Sequence, residues 1–308
     1  MGERTLVSKF LGSLLGTAVG DALGAPFEGW SRVGIEEIKS VAEKRDVLTY
    51  TDDTHMMIGV AESLIRCKGF DGEDMAQTFV KNYEIEPFRG YGPGPPSVFR
   101  LIRSGQPWDK AAQRLYGGGS YGNGSAMRVA PIGVFYRNRL DKLEEISHKS
   151  SQITHAHNLG KEGAALQAYA IALATNLEPC LSFSRRDFLA KLTTYAKQDT
   201  YVQRLKKVVA LLTEQNKSKI VAELGNGIEA FNSVPTAIFS FLLHYDSFSE
   251  AVLYAVSLGG DTDTIGAMTG AISGAYLGIE SIPDSWKEKL ENMPYIEELA
   301  KELCSLRG

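Results

Sequence analysis

The chain has 308 residues, 44% of them apolar and 23% charged, the composition of an ordered globular protein rather than a disordered or fibrous one. Its 33 Lys and Arg against 37 Asp and Glu leave a net charge of −4, which argues against a general nucleic-acid binder that draws affinity from neutralised phosphates. Three cysteines (Cys67, Cys180, Cys304) without a CxxC, and five histidines without HExxH, argue against thiolate zinc or a disulfide framework; oxygen-ligand metals or carboxylate chemistry remain.

The elements follow in chain order. Residues 1–9 carry charge, and residues 10–20 form an apolar stretch of about signal-core length that Asp21 closes without a small-residue cleavage pattern. No uncharged run reaches the ~20 residues of a spanning helix; residues 264–279 fall short. A cytoplasmic chain without a membrane segment, folded as one domain over 1–308 and acting as a monomer, is the expectation. Gly12, Gly16, Gly20 and Gly24 recur every four residues, which on a helix keeps them on one face. Each glycine costs about 1 kcal/mol of helix propensity against alanine, so the ridge predicts close helix packing. Pro26 should end this helix, and Glu28 follows it.

Thr51-Asp52-Asp53-Thr54 precedes a helix predicted over 55–66, where Met57, Val60, Ala61, Leu64 and Ile65 share one face. Two glycine-rich loops come next, Gly-Tyr-Gly-Pro-Gly-Pro-Pro at 90–96 and Gly-Gly-Gly-Ser-Tyr-Gly-Asn-Gly at 117–124. Neither is a P-loop, since the lysine is absent, nor a dinucleotide fingerprint, since no credible strand precedes it. They read either as flexible connectors or as nests of backbone N–H groups for a pyrophosphate, with Tyr116 and Tyr121 placed to stack on a base. His155 and His157 stand two apart and so do not share a helical face. Further helices are predicted over 160–175, 202–213 and 235–243, with no convincing alternating strand. The fold class is all-α, with roughly ten or more helices.

The last motif is Gly259-Gly260-Asp261-Thr262-Asp263-Thr264, opening a second ridge of Gly266, Gly270, Gly274 and Gly278. Either acid cluster alone is explained by helix capping. Together they supply four aspartates from opposite ends of the chain, a donor set suited to a pair of Mg²⁺, Mn²⁺ or Ca²⁺ ions. An EF-hand is ruled out, because Ile265 takes its fifth ligand position.

The ordered set of Gly20-Asp21 with Gly24 and Glu28, Thr51 to Thr54, Gly122-Asn123-Gly124 and Gly259 to Thr264 resembles the ADP-ribosylglycohydrolases over nearly the whole chain. Finer features resemble the branch that cleaves serine-linked ADP-ribose, poly(ADP-ribose) and O-acetyl-ADP-ribose: Arg89-Gly90-Tyr91-Gly92, Ser120 to Val129, Thr154-His155-Ala156 and Leu224 to Ile228. The resemblance implies a compact orthogonal multi-helix bundle with a binuclear site for two Mg²⁺ (Mn²⁺ as substitute) held by Thr51, Asp52, Asp53, Asp261, Asp263 and Thr264. Glu28 would lie on a mobile flap as acid/base or gate, with Asp53 and Asp261 sharing the catalytic role. Gly118, Gly119, Ser120, Tyr121, Gly122, Asn123 and Gly124 would hold the diphosphate. Tyr116 and Tyr121 would sandwich the adenine, Ile228 would line its pocket, and His155, Gly90, Tyr91 and Gly92 would complete the substrate surface. Pro95-Pro96 and His55 depart from the family pattern, and both bear on linkage specificity. An arginine-ADP-ribose hydrolase, or a two-metal hydrolase of another ADP-ribose derivative, is the alternative. ADP-ribosylated proteins or ADP-ribose derivatives would be the partners.

Overall fold

The computed structural model describes residues 2–179 and 183–306. Among the described residues the backbone is helical, with isolated bridges in place of strands. The first third of the chain forms α1 (Glu3–Gly24), a 3₁₀ turn (Ala25–Phe27), α2 (Ile35–Lys44), α3 (Asp52–Cys67), α4 (Gly72–Ile85) and α5 (Gly94–Arg103). The middle forms α6 (Trp108–Ala111), α7 (Ala130–Phe135), α8 (Leu140–Gln152), α9 (Asn158–Thr175), α10 (Arg185–Tyr195) and α11 (Asp199–Leu211). The remainder forms α12 (Lys217–Leu224), α13 (Ala230–Leu243), α14 (Phe248–Ser257), α15 (Thr262–Leu277), α16 (Asp284–Lys287) and α17 (Met293–Ser305).

The two glycine ridges lie face to face. Gly12 meets Gly274, Gly16 meets Gly270, Gly20 meets Gly266 and Gly24 meets Thr262 and Asp263, so α1 and α15 run antiparallel in one register. A Cβ built on any of these α1 glycines would fall under 3.0 Å from backbone atoms of α15, which cannot move aside as a side chain can. Each helix is enclosed by others: every residue of α15 from Thr262 to Tyr276 is buried, as are Phe10, Leu14, Leu15, Ala18 and Val19 of α1. Helices α9, α13 and α14 pack on α15, while α3, α7 and α17 pack on α1. By length and composition residues 4–27 could cross a membrane; in this fold 89% of the apolar 18-residue window within that stretch is buried against the rest of the chain.

Helix starts differ from the sequence expectation. Asp52 and Asp53 form the first turn of α3 rather than preceding it, with Thr51 as the N-cap. The reason is Asp21 of α1, whose buried carboxylate accepts bonds from the N–H and hydroxyl groups of both Thr51 and Thr54. The helix expected from 235 begins at Ala230, and Pro235 sits inside it. Pro26 does end α1, by starting the 3₁₀ turn. Cys67 is exposed and Cys304 buried, and Cys180 lies outside the described residues.

The close approach of α1 and α15 sets a testable sign. Gly270→Ala gains about 1 kcal/mol of helix propensity but drives a Cβ into the Gly16 carbonyl. Overpacking of this kind costs about 1–3 kcal/mol, and backbone against backbone belongs at the upper end. The expected result in denaturant unfolding is a net loss of stability of about 2 kcal/mol; an unchanged or raised midpoint would contradict the packing.

Candidate active site

The antiparallel pairing carries the C-terminal end of α1 to the N-terminal end of α15, and Asp21 then fastens α3 beside them. Three helix ends and their aspartates meet at one place. Thr51 N–H and Oγ1 lie 3.0 and 2.9 Å from the Asp21 carboxylate, and Thr54 N–H and Oγ1 lie 3.0 and 2.6 Å from it. Because Asp21 satisfies these donors, Asp52 and Asp53 are free of capping duty. Asp53 is buried, and its Oδ1 has no hydrogen-bond partner among the described residues.

Asp261 occupies the N-cap position of α15 but makes no side-chain cap bond. Its Oδ2 instead accepts from Asn123 Nδ2 at 2.5 Å, which aims it at the glycine loop. Asp263 Oδ1 accepts from the Thr264 N–H at 2.9 Å. Glu28 reaches the same point from the end of the 3₁₀ turn, and one carboxylate oxygen each from Glu28, Asp261 and Asp263 lies within 4.8 Å of the others. The Glu28 segment is pinned by Gly29 N–H donating to the Gly260 carbonyl at 2.8 Å and Gly260 N–H donating to the Trp30 carbonyl at 2.7 Å. Both Gly29 and Gly260 have positive φ (81° and 76°), and a Cβ on Gly260 would strike Asn226, so this turn needs glycine.

Capping therefore does not account for the acids. Glu28, Asp52, Asp53, Glu229, Asp261 and Asp263 line one cavity of about 520 Å³, and its lining contains no Lys or Arg. Burial and mutual repulsion push the cluster upward: Asp52 to about 8, and Asp53 and Asp263 well above the ordinary carboxylate range. Burial raises Asp21 to about 6 against the opposing threonine bonds, and burial with the nearby Asp261 raises Glu28. A crowd of hard oxygen donors, one of them buried and unpartnered, fits divalent cations such as Mg²⁺ or Mn²⁺.

The opposite wall is the loop at 117–124. Gly117, Gly118 and Gly119 all have positive φ, and Gly119 lies against the backbone of Ala156 and His157. Asn123 N–H donates to the Ile228 carbonyl at 2.9 Å and Ala230 N–H to the Tyr121 carbonyl at 3.0 Å, so a two-residue bridge sets Ile228 beside the loop. Tyr116, Tyr121 and Ile228 are 65%, 48% and 66% exposed around one mouth, an apolar rim that suits a flat aromatic ligand. Tyr121 is held by an edge contact to His157 and a tilted ring contact to Phe231. His157 caps α9 through Nδ1, and His155 is buried behind Gly122 and Gly124.

Of the residues expected at the site, Glu28, Asp52, Asp53, Gly90, Gly92, Tyr116, Gly119, Ser120, Tyr121, Gly122, Asn123, Gly124, His155, Ile228, Asp261, Asp263 and Thr264 line the cavity. Thr51, Tyr91 and Gly118 do not. Thr51 orients α3 through Asp21. Tyr91 stands one layer back, its hydroxyl 2.8 Å from His55 Nδ1 and its ring against Tyr83 and Phe99. Pro95 lines the wall where α5 begins. Asp21 and Thr154 stand in motifs quoted from the sequence but carry no site role there, and Glu229 is in none of them. Asp21 had a signal, as the acid of Gly20-Asp21 in an apolar helix; Glu229 had none.

A family model described as ADP-ribosylglycohydrolase matches residues 2–308. The mouse protein named ADP-ribosylhydrolase ARH3 is 37% identical, covering 96% of this chain and 91% of its own. The human protein of that name is 35% identical, covering 98% and 94%. A solved structure titled ADP-ribosylglycohydrolase-related protein complex superposes with a TM-score of 0.79 at 26% identity, over 99% of this chain and 100% of that one.

The acid cluster also predicts a pH dependence. Carboxylates raised in the fold stabilise it fully below their unfolded value of 3.8, and that contribution is lost as pH rises through the folded values, about 6 for Asp21 and about 8 for Asp52. In chelator, the cluster should therefore lower the melting temperature between pH 5 and pH 8, and Mg²⁺ should remove much of the slope. The comparison of Asp52→Asn with the unaltered protein checks it: the variant should be flatter in chelator and respond less to Mg²⁺.

Proposed function

The chain belongs to the ADP-ribosylglycohydrolase family and is a glycosidic hydrolase, and we propose that it releases ADP-ribose from O-linked derivatives with the help of two Mg²⁺ ions. The O-linked substrates in view are serine-linked ADP-ribose, poly(ADP-ribose) and O-acetyl-ADP-ribose. The observation that carries the reading is the make-up of this cavity: six carboxylates and no Lys or Arg in its lining, beside a glycine loop with exposed aromatics at the mouth. An anionic dinucleotide-like ligand can enter such an acidic site only if cations offset the acids. Asp52, Asp53, Asp261, Asp263 and Thr264 of the lining, with Thr51 Oγ1 just behind it at 3.4 Å from Asp53 Oδ2, would hold Mg²⁺, with Mn²⁺ as a substitute. When bound, such ions supply positive charge that neutralises the cluster and Lewis acidity for substrate oxygens.

The chain's own residues do the rest. In the 119–124 loop the N–H groups of Gly119, Gly122 and Asn123 donate within the protein, which leaves those of Ser120, Tyr121 and Gly124 for a diphosphate, and such donors carry no titrating charge. Tyr116 and Tyr121 offer ring faces for the adenine, and Ile228 adds apolar surface beside them. That arrangement would put the far ribose among the acids. Hydrolysis joins a water oxygen to C1 of that ribose while the bond to the leaving oxygen breaks, with oxocarbenium character between. The leaving oxygen takes up a proton and the attacking water gives one up. Glu28 is suited to this exchange, since burial and Asp261 hold its proton more tightly than an ordinary glutamate does. Asn123 keeps Asp261 in place through the bond between them.

The test is mass spectrometry of products from serine-linked, arginine-linked and O-acetyl substrates, with Mg²⁺ and then with chelator. Intact ADP-ribose from the O-linked substrates is expected, only with the metal. Release from arginine alone would replace the linkage assignment, and AMP or phosphate as product would identify a phosphohydrolase. Asp53→Ala and Asp261→Ala should abolish turnover, and Glu28→Gln should lower kcat by about 100-fold or more while leaving ADP-ribose binding measurable.

A further inference from the structure

Arg128 has an unusual position behind the cavity. It is fully buried, yet no carboxylate pairs with it among the described residues. Its Nη1 donates to the Gly124 carbonyl at 3.1 Å and to Thr154 Oγ1 at 2.8 Å, its Nη2 donates to the Ser150 carbonyl at 2.9 Å, and the Phe79 ring lies 4.7 Å away. Thr154 Oγ1 is in turn 2.7 Å from Nδ1 of the buried His155. A guanidinium can only donate, so the threonine oxygen accepts from Arg128 and its one hydrogen is left for Nδ1. A ring that accepts at Nδ1 and is neutral carries its proton on Nε2. Neutrality follows from the surroundings: burial and the Arg128 charge push His155 down to about 3. The Nε2 edge lies against the glycine loop, where a Cβ on Gly122 would be 3.4 Å from it and one on Gly124 3.0 Å.

We propose that Arg128 and Thr154 are positioning residues that hold His155 as the neutral Nε2–H tautomer, so that the ring presents a donor to the diphosphate side of the cavity. This deepens the proposed function and rests on it for the ligand. The consequence is one of sign. The other tautomer would turn a lone pair toward phosphate oxygens, and an imidazolium would need a buried counter-charge that this wall lacks. Arg128 also grips the Gly124 carbonyl, so one side chain sets both the loop and the ring behind it.

The experiment uses histidine-labelled protein without ligand, with ring ¹⁵N resonances of His155 assigned by their loss in His155→Gln. At pH 7 the unaltered protein should show Nε2 protonated and Nδ1 bare. Thr154→Val should mix the tautomers and weaken ADP-ribose binding about tenfold, the loss of one hydrogen bond to a charged group. Thr154→Ser, which keeps the hydroxyl, should restore both. A protonated Nδ1 in the unaltered protein overturns the proposal, and this holds even if Thr154→Val fails to fold. It is equally overturned if Thr154→Val folds with the original tautomer and affinity. If the unaltered protein shows the Nε2–H tautomer but does not bind ADP-ribose, the positioning role stands and the functional reading is what fails.

Discussion

The contact of α1 with α15 is the constraint from which the rest follows. Two helices whose glycines meet backbone to backbone can pair in only one register, because any shift brings side chains against carbonyls. That register joins segments separated by most of the chain: Asp21 and Glu28 at one helix end, Asp261 and Asp263 at the start of the other. The glycines sacrifice helix propensity in both elements. What they obtain is a rigid pair enclosed by α3, α7, α9, α13, α14 and α17, with its polar end open to a cavity.

The second theme is electrostatic tension stored at that open end. Asp21 satisfies the first donors of α3 and so leaves Asp53 Oδ1 buried without a partner. Asn123 draws Asp261 away from a capping role. Neither arrangement is the most stable use of these carboxylates in the protein alone, since each is held where its ionised form is disfavoured. They make sense as donors waiting for cations. The opposite wall is built on another logic, with neutral groups: the loop N–H groups of Ser120, Tyr121 and Gly124 and, in our proposal, a histidine backed by a buried arginine through Thr154. In the function we propose, a ligand with a diphosphate in the middle would be served by both walls at once, and the exposed rings of Tyr116 and Tyr121 would extend the fit to a base.

Much of this was legible before any coordinates. Glycines every four residues announce helices that need close neighbours, and helix-start aspartates doubled beyond what capping requires announce a different purpose. The 55–66 stripe and the helical stretches at 160–175 and 202–213 mark α3, α9 and α11 to within a few residues; α9 is buried nearly all round, and its trace is an Ala- and Leu-rich composition rather than one apolar face. The ends were less legible. Asp52 and Asp53 fall inside α3 because a carboxylate thirty residues earlier accepts from Thr51 and Thr54 and so reinforces the Thr51 cap, and no local pattern records a partner so distant.

The sequence by itself determined the helical class, the need of two glycine ridges for close neighbours and the residue types of the chemistry, since each depends on short-range spacing along one chain. Only the tertiary structure decided which of those residues face one another. It set Tyr91 behind the wall with His55, brought Ile228 to the glycine loop through a bridge of two backbone bonds, added Glu229 to the lining, and made Arg128 the support of His155. These are contacts between segments far apart in sequence, and they are settled by packing and hydrogen-bond satisfaction in three dimensions, which periodicity along the chain does not encode.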